Sequence, residues 1–302
     1  MAEVLCIGNA SYDISVFVSG FPLEDSKTET RELLEAGGGP AANAAYLLSS
    51  WGVSCAFAGL LGNDRYAMRI LEEFRAVGTD VSLVQVRRNH VTPLSVILVN
   101  IRNGTRTLVN RKCDSAKLKL RKASLQRRRP ILLFFDGHEL EASLAALRAF
   151  PKAVSILDAG SWREGTAVLA PKVNYLVASE KFALQTSKLA RLQSQRERRL
   201  CMKRLRERFG HTTVVTLGAR GLMADEGGGY LEMSAFRAKP VDTTAAGDVF
   251  HGAFAYGVTR QMSFLETLRL ASIAASISVQ KKGGRPSIPT LAGVKTALAH
   301  AQ

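Results

Sequence analysis

The sequence predicts an α/β fold built on a mostly parallel central sheet, and two observations support it. Short apolar runs rich in β-branched or aromatic residues recur along the chain and mostly end in Gly, Asp or Ser. Between these runs lie segments whose apolar residues have the spacing of an amphipathic helix. Because near-continuous apolar strands alternate with helices, the sheet should be parallel and covered on both faces. Such a sheet places a ligand beyond the carboxyl ends of its strands.

The elements follow in chain order from the apolar runs. The predicted strands are residues 4–8 (VLCIG), 55–62 (CAFAGLLG), 131–137 (ILLFFDG), 154–160 (VSILDAG), 173–179 (VNYLVAS) and 212–218 (TTVVTLG). The helical segments between them include AANAAYLLSSWG, RYAMRILEEFRAVG and LEASLAALRAF. A basic amphipathic helix is expected over 193–210, with Leu200, Leu205 and Phe209 facing the protein. Beyond residue 246 the chain should be mostly helical.

Two stretches interrupt this alternation and predict a small additional sheet. YDISVFV and TETRELLEA, within residues 12–36, have an extended pattern, as do residues 92–114, where Asn103-Gly104 is a strong hairpin signal. We therefore expect a single domain over residues 1–302, in which these two segments provide the strands of a lid.

Composition limits the class of protein. Of 302 residues, 46% are hydrophobic and 22% are charged, which is typical of a globular chain. No apolar stretch approaches the roughly 20 residues of a membrane span, and MAEVLCIG lacks the basic start of a secretory signal, so we expect a cytoplasmic protein with no membrane partner. Cys6, Cys55, Cys113 and Cys201 are scattered, which favours buried reduced thiols over a metal site.

The chain is strongly basic, with a formal net charge of +15. Such a charge favours anionic partners, either nucleic acid or small phosphorylated and acidic metabolites. No nucleic-acid recognition motif and no aromatic residues interleaved with the basic ones accompany it, so no nucleic-acid partner is expected.

Residues 242–248 (DTTAAGD) place two carboxylates at the predicted start of a helix. Thr243 or Thr244 can cap this helix, whose first turn holds Gly247 and Asp248. A helix start binds anions through its unpaired N–H groups and its partial positive charge. A carboxylate beside a bound phosphate is useful if it takes a proton from an attacking hydroxyl. The alternative is that both aspartates only cap the helix.

A second glycine-rich turn, EAGGGPAANAAYLLSSWG, opens an early helix. Gly37, Gly38 and Gly39 permit positive φ and the close approach of a ligand, and Pro40 suits the first helical position. A turn alone does not explain the polar side chain of Asn43 inside an alanine-rich helix.

Together these segments resemble the two signatures of the ribokinase-like (PfkB) carbohydrate kinases. DTTAAGD resembles the family's D-T-x-G-A-G-D, and the glycine turn followed by an asparagine resembles the other signature. The resemblance runs over nearly the whole chain, and GGGPAANAA, DVFHGAF and GGRPSIP look most like the ketohexokinase and sulfofructose kinase branches. It implies a three-layer sandwich with a small β-strand lid, and an ATP-dependent sugar kinase. No P-loop or protein-kinase motif is present.

The resemblance also implies roles for individual residues. Sugar hydroxyls would be held by Asp13, Gly38, Gly39 and Asn43, while Asp248 acts as the base and the backbone at Ala245, Ala246 and Gly247 stabilises the transferring phosphoryl group. The nucleotide would be bound by Thr216, Gly218, Arg220, Gly221 and Thr243.

Two positions depart from the family pattern. Ala245 stands where glycine is usual, which would cost about 1 kcal/mol if this residue needs positive φ. The N-x-x-E segment that organises Mg²⁺ is missing: Ser179 stands in for the asparagine and Phe182 falls at the glutamate position, so Glu180 is the predicted substitute.

The acceptor is predicted to be a ketohexose or an acidic sugar derivative. Side chains that could reach an acidic group are Arg106, Asn110, Arg111, His138 and Arg163. Two other functions stay open: a nucleoside kinase of the same superfamily, and a catalytically weakened homologue that binds or regulates. The resemblance also allows a homodimer paired through the lids.

Overall fold

The computed structural model describes residues 3–112 and 116–300, and its largest element is an eight-stranded sheet. The strands are β1 (Val4–Ile7), β2 (Ser11–Val18), β3 (Leu33–Gly38), β4 (Cys55–Ala58), β5 (Leu60–Gly62), β6 (Gln85–Arg87), β7 (Leu94–Asn100), β8 (Arg106–Arg111), β9 (Leu132–Phe135), β10 (Val154–Ala159), β11 (Tyr175–Ser179), β12 (Thr212–Thr216), β13 (Leu222–Glu226) and β14 (Gly229–Met233). The large sheet has the order β14-β13-β12-β11-β10-β9-β1-β4. It is parallel from β4 to β12, and an antiparallel hairpin, β13–β14, extends the β12 edge.

Helices cover both faces of this sheet. They are α1 (Pro40–Ser50), α2 (Arg65–Ala76), α3 (Lys122–Gln126), α4 (Leu140–Ala149), α5 (Glu164–Leu169), α6 (Glu180–Ser187), α7 (Gln195–Phe209), α8 (Ala246–Thr259), α9 (Phe264–Ser278) and α10 (Leu291–His300). Alternate strand residues point to opposite faces, so Val4 and Cys6 pack with α1, α8 and α9, whereas Leu5 and Ile7 pack with α4 to α7. The result is the predicted three-layer sandwich.

The predicted central strands all lie in the parallel part of the sheet, with one difference. The run at 55–62 divides at Gly59 into β4, which joins the large sheet, and β5, which pairs with β6 in a separate two-stranded sheet. A side chain at Gly59 would meet the ring of Phe57 at 2.6 Å. Glycine therefore lets the chain turn away from the large sheet at this position.

A separate four-stranded sheet has the order β3-β2-β7-β8. Asn103 and Gly104 form the turn between β7 and β8, and Gly104 has the positive φ of 71° that such a turn needs. The prediction for TETRELLEA was too long, because residues 28–32 form no strand and pairing with β2 begins at Leu33. One face of the sheet buries a small core of Phe17, Ile97 and Val99.

The basic helix α7 begins at Gln195 behind a capping box made by Ser194 and Glu197. Its buried residues are Cys201, Met202 and Leu205, whereas Leu200 is 39% exposed. The prediction that Leu200 faces the protein was therefore wrong. The inward stripe runs through 201, 202 and 205 at helical spacing, and residue 200 lies beside it.

Three of the four cysteines are described, and all three are buried free thiols: Cys6, Cys55 and Cys201. Cys113 lies outside the described residues. Within residues 3–112 and 116–300, no helix combines the length and the apolar character that crossing a membrane would require.

Candidate active site

A cavity of about 820 Å³ lies between the four-stranded sheet and the carboxyl ends of β9 and β10. Its wall also includes the first residues of α1 and of α8. The predicted site residues on this wall are Asp13, Gly39, Asn43, Arg106, Asn110, Arg111, His138, Arg163, Ala245, Gly247 and Asp248. Segments that are far apart in the sequence therefore meet at the sheet edge where a ligand was expected.

The start of α8 differs from the prediction that a threonine caps it. The N-cap residue is Ala245, and no side chain caps the helix. Ala245 has φ +58° and ψ 9°, the left-handed conformation that makes glycine usual at this position. The strain anticipated for alanine is therefore present, and a left-handed residue with a Cβ costs about 1–2 kcal/mol.

Without a side-chain cap, N–H groups at the start of α8 stay available to a ligand. The first intrahelical bond runs from the N–H of Val249 to the carbonyl of Ala245 at 2.8 Å, so the helix leaves the N–H groups of Gly247 and Asp248 unpaired. The N–H of Ala246 instead donates to the carbonyl of Thr243 at 3.3 Å. A left-handed residue at a helix start favours an anion-binding concavity.

The two threonines have other contacts. The hydroxyl of Thr243 donates to the carbonyl of Gly104 at 2.9 Å and accepts from Nη1 of Arg106 at 2.7 Å, which ties the β7–β8 turn to this loop. Thr244 lies on the cavity wall, and its hydroxyl is buried with no hydrogen-bond partner among the described residues.

Asp242 is fully buried and accepts from the N–H groups of Thr244 and Gly283, both at 2.8 Å. Its role is to hold the loop.

Asp248 faces the cavity and is held by α1. Its Oδ2 accepts from Nδ2 of Asn43 at 2.6 Å. Burial raises the pKa of Asp248 to about 7, the negative charge of Asp158 adds to the rise, and the amide of Asn43 opposes it. A carboxyl that titrates near neutral pH is suited to accept a proton from a hydroxyl.

Arg285, which sequence reasoning did not assign, holds Asn43 in turn. Nε of Arg285 donates to Oδ1 of Asn43 at 3.2 Å, so the amide must present Nδ2 to Asp248. Arg285 is 4% exposed, and its guanidinium carbon lies 4.6 Å from the centre of the Phe74 ring. The only available signal was an arginine within the glycine- and proline-rich tail GGRPSIPT.

Glu73 on α2 completes this chain of contacts. Its Oε2 accepts from Nη1 of Arg285 at 2.7 Å, and its Oε1 accepts from the N–H of Gly37 at 2.9 Å. Because α2 has the sequence pattern of a surface helix, the sequence did not show that Glu73 differs in role from the exposed acids beside it. The chain from Glu73 through Arg285 fixes both the glycine turn and Asn43.

Asp13 lies within β2, in the segment YDISVFV that was predicted to be extended. Its Oδ1 accepts from the hydroxyl of Ser11 at 3.0 Å, and burial raises its pKa. A Cβ at Gly38 would lie 2.0 Å from Oδ2 of Asp13, so Gly38 makes room for this carboxylate. Of the glycines at 37–39, only Gly39 has positive φ, at 96°, and a Cβ there would lie 2.5 Å from the carbonyl oxygen of Asn9.

His138 and Arg163 form the wall at the ends of β9 and β10. Nη1 of Arg163 contacts Nε2 of His138, and Nη2 donates to the carbonyl of Asp136 at 3.1 Å. Burial lowers the pKa of His138. Nε of Arg163 is buried without a hydrogen-bond partner among the described residues. Asn110 lies on β8, across the same cavity.

None of the predicted nucleotide residues is on the cavity wall. Thr216 ends β12, and Gly218 and Gly221 turn the chain with φ of 61° and 93°. The guanidinium of Arg220 is already engaged by the carboxylate of Glu180 and by the carbonyl of Leu192.

The residues at the predicted metal position do not fit a cation held by the protein. Glu180 is paired with Arg220, the hydroxyl of Ser179 accepts from the N–H of Phe182 at 3.1 Å as the cap of α6, and Phe182 is fully buried. No group of three or more His, Cys, Asp or Glu side chains that could hold a metal occurs in the part of the chain that the structure describes.

Comparison with known proteins identifies the family of this chain. The profile of the pfkB family carbohydrate kinases matches residues 1–291. A Haemophilus influenzae ribokinase is 26% identical over 315 aligned positions, covering 97% of this chain and 96% of its own. A Mus musculus ketohexokinase is 36% identical over 107 positions, covering 35% of this chain and 36% of its own.

Solved structures show the same fold. The Arabidopsis thaliana ribokinase, determined in complex with ribose and ATP, matches with a TM-score of 0.83 and 24% identity over 99% of each chain. The fold similarity and the family profile extend over all three sheets and over the start of α8. The chain therefore belongs to the PfkB family of carbohydrate kinases, phosphotransferases that act on an alcohol group of a sugar.

Proposed function

We propose that this protein transfers the γ-phosphoryl group of ATP to a hydroxyl of a small sugar bound in the 820 Å³ cavity. The observation that carries the proposal is the hydrogen bond of 2.6 Å between Asn43 and Asp248, at an uncapped helix start that faces this cavity. It joins a group that can accept a proton to a site that can bind a phosphate.

The chemical step uses residues from both signatures. Asp248 takes the proton of the sugar hydroxyl as the hydroxyl oxygen bonds to the γ-phosphorus, and the bond to the bridging oxygen breaks with its electron pair leaving on ADP. The N–H groups of Gly247 and Asp248 stabilise the charge on the transferring group. Asp13, Gly39 and Asn43 position the acceptor, and the β3-β2-β7-β8 sheet acts as the lid that excludes water.

Nucleotide and metal are held mainly through the phosphates. The Arabidopsis thaliana ribokinase was solved with ATP, which supports a nucleotide here as well. Mg²⁺ would neutralise the phosphate charge when it enters bound to ATP. Glu180 is not used as a metal ligand in this proposal, because its carboxylate is paired with Arg220. The predicted loop of Thr216, Gly218 and Gly221 would lie along the nucleotide outside the cavity.

The charge of the cavity supports an acceptor that carries an acidic group. The cations on its wall are Arg106, Arg111, Lys112, Lys117, Arg163 and Lys181, and the acids are Asp13, Glu139 and Asp248. Burial raises the pKa of both Glu139 and Asp248 to about 7, so these two acids are only partly ionised at neutral pH. Part of the positive charge on the cavity wall would neutralise the phosphates of ATP. We assign an acidic group of the acceptor to Arg163, because this arginine lies on the cavity wall at the end of β10.

A screen of acceptors by ADP release tests the proposal. The panel should contain ketohexoses, ribose, sugar acids, sulfonated sugars and nucleosides, because the relatives include ribokinases and a ketohexokinase. We expect the highest kcat/KM with a sugar that carries a carboxylate or sulfonate. Release of ADP with nucleosides alone would identify a nucleoside kinase, and no acceptor-dependent release would favour a binding or regulatory homologue.

A matched pair of variants separates the acidic group from the reaction itself. Arg163→Gln should raise KM for an acidic acceptor about tenfold or more, because a hydrogen bond to a charged group is lost. KM for a neutral sugar should hardly change. Arg148→Gln, an exposed arginine on α4, is the control. Equal losses with acidic and neutral acceptors would contradict the assignment of Arg163.

A further inference from the structure

A buried ion pair lies behind the cavity, next to Asp248. His251 is on α8, one turn beyond Asp248, and its Nδ1 is 3.1 Å from Oδ2 of Asp158 on β10. The two residues are only 3% and 4% exposed, and neither lines the cavity. They therefore cannot contact a substrate there, but they lie within electrostatic reach of the proposed base.

The pair requires a protonated imidazole. A buried carboxylate is unfavourable without a positive partner, and His251 supplies one only when both ring nitrogens carry protons. The hydrogen-bond geometry of the ring nitrogens is not ideal, but the approach of Nδ1 to within 3.1 Å of Oδ2 of Asp158 favours the protonated imidazole through both charge and hydrogen bonding. Burial lowers the pKa of His251, but the charges of Asp158 and Asp248 outweigh burial, and the pKa is raised overall.

The groups around these two side chains come from several elements. Asp248 is faced by the amide of Asn43 from α1, by Asp13 from β2, by Asp158 from β10 and by His251 from its own helix. His251 is faced by Asp158, by Asp248, by the backbone of Val177 on β11 and by the ring edge of Phe250. Among the charged groups that act most strongly on Asp248, His251 is the cation.

We infer that Asp158 and a protonated His251 form a positioning pair that sets the proton affinity of Asp248 during phosphoryl transfer. The inference rests on the proposed function of Asp248 as the base. The two charges act in opposite directions: His251 favours the carboxylate that accepts the proton, and Asp158 opposes it while keeping His251 protonated. The base thus keeps a near-neutral proton affinity although it is buried beside another acid.

The opposing signs give a test that a purely structural role would not satisfy. His251→Asn leaves Asp158 uncompensated, so the acid limb of the pH profile of kcat should move up by about one pH unit. Adding Asp158→Asn in the double variant should move it back toward the wild-type position. With Asp158→Asn alone, the acid limb should move down if His251 stays charged, and it should stay in place if His251 loses its proton. His300→Asn, an exposed histidine on α10, is the matched control.

Several results would overturn the inference. One is an unshifted profile in His251→Asn, and another is an upward shift of equal size in the single and double variants. If His251→Asn does not fold, imidazole NMR of the wild-type protein decides. We expect one histidine that stays protonated well above the ordinary pKa of about 6.5, with its titration moved downward in Asp158→Asn. The absence of such a histidine would contradict the inference.

The Asp248→Asn variant distinguishes a failure of this inference from a failure of the proposed function. If Asp248→Asn turns over at a near-normal rate, the assignment of the base is wrong. If that variant is inactive while the His251 variants keep the wild-type profile, only the positioning pair is wrong.

Discussion

At the scale of single residues, the hydrogen bond between Asp248 and Asn43 depends on contacts from distant parts of the chain. Asp248 and Asn43 lie within recognisable segments, and the structure joins them at 2.6 Å. Arg285 is 242 positions from Asn43 in the chain, and no local pattern reports a contact over that distance. The same holds for Asp158, near the end of β10, and His251, a polar residue in the apolar helix α8: the sequence does not show that they pair, and they meet only when β10 and α8 pack together.

The assignment of Asp248 predicts a selective loss of activity. Asp248→Asn should lower kcat by several orders of magnitude, since general-base catalysis contributes about 10²–10⁴-fold, while ATP binding changes little because the carboxyl acts on the acceptor. Steady-state ADP release and ATP titration by calorimetry measure the two quantities. Near-normal kcat would refute the assignment, and equal loss of ATP binding would indicate that the helix start itself was disturbed.

Arg285 should be needed for both stability and activity. Arg285→Met leaves Glu73, whose side chain is 29% exposed, without its cation and Asn43 without its donor, so the free energy of unfolding should fall by about 1–3 kcal/mol. We expect kcat to fall as well, because the amide of Asn43 is no longer fixed. Urea unfolding measures the first effect, with the exposed Arg148→Met as the control. A loss below about 1 kcal/mol would show that the network is not important for stability.

At the scale of elements, the start of α8 shows the limit of pattern reasoning. The pattern predicted a helix near residue 246 and an anion site at its start, and the helix begins at Ala246. It also predicted a threonine cap, which is wrong because Thr243 contacts Gly104 and Arg106 instead. A cap would have occupied N–H groups that a phosphate needs. A rule for stable helix starts therefore fails at this helix start, where we propose that a phosphate binds.

The strain at Ala245 gives a prediction for this element. Ala245→Gly removes a left-handed alanine that costs about 1–2 kcal/mol, and the greater flexibility of unfolded glycine offsets part of the gain. We expect a free energy of unfolding equal to or slightly above that of the wild type, with kcat unchanged. Ala245→Val should be clearly less stable, because a β-branched residue at positive φ is an outlier. If Ala245→Gly lost stability while Ala245→Val did not, the claim that the left-handed Ala245 is strained would be contradicted.

The four-stranded sheet illustrates what period and turn signals can predict. Alternation and Asn103-Gly104 indicated the β7–β8 hairpin, and the hairpin is present. The parallel pairing of β2 with β7, which brings Asp13 beside Ser95, is a long-range choice that neither strand encodes alone. Closure of this sheet over a bound sugar and its pairing in a homodimer stay predictions.

At the scale of the whole molecule, the net charge of +15 is less informative than where the charges lie. On α7, Arg198 pairs with Glu232 and Arg206 with Asp225, and this helix does not line the cavity. The cations that matter for a ligand are those on the cavity wall. Composition could predict an anionic partner, but only the folded arrangement separates the surface charge from the charge at the site.

The raised pKa of Asp248 also predicts how global stability depends on pH. Its folded-state pKa of about 7 is above the ordinary value of 3.8, so the folded protein binds this proton more tightly than the unfolded chain does. The stabilising contribution is complete below the unfolded pKa and is lost as pH rises through about 7. Asp248→Asn has no such proton to lose. Its stability relative to wild type should therefore rise by on the order of 1–3 kcal/mol between pH 5 and pH 8.

Urea unfolding of both proteins at pH 5 and pH 8 measures this difference, and Asp64 provides the opposite control. Burial alone would raise the pKa of Asp64, but hydrogen bonds from backbone N–H groups, including those of Ala67 and Thr92, lower it overall. Asp64 is thus ionised at both pH values, and Asp64→Asn should lower stability by a similar amount at each. If the stability of Asp248→Asn relative to the wild type is the same at pH 5 and pH 8, as expected for the Asp64→Asn control, then Asp248 ionises at its ordinary pKa. The site would then hold a permanent carboxylate beside the phosphate, and a base with near-neutral proton affinity would have to be sought elsewhere on the cavity wall.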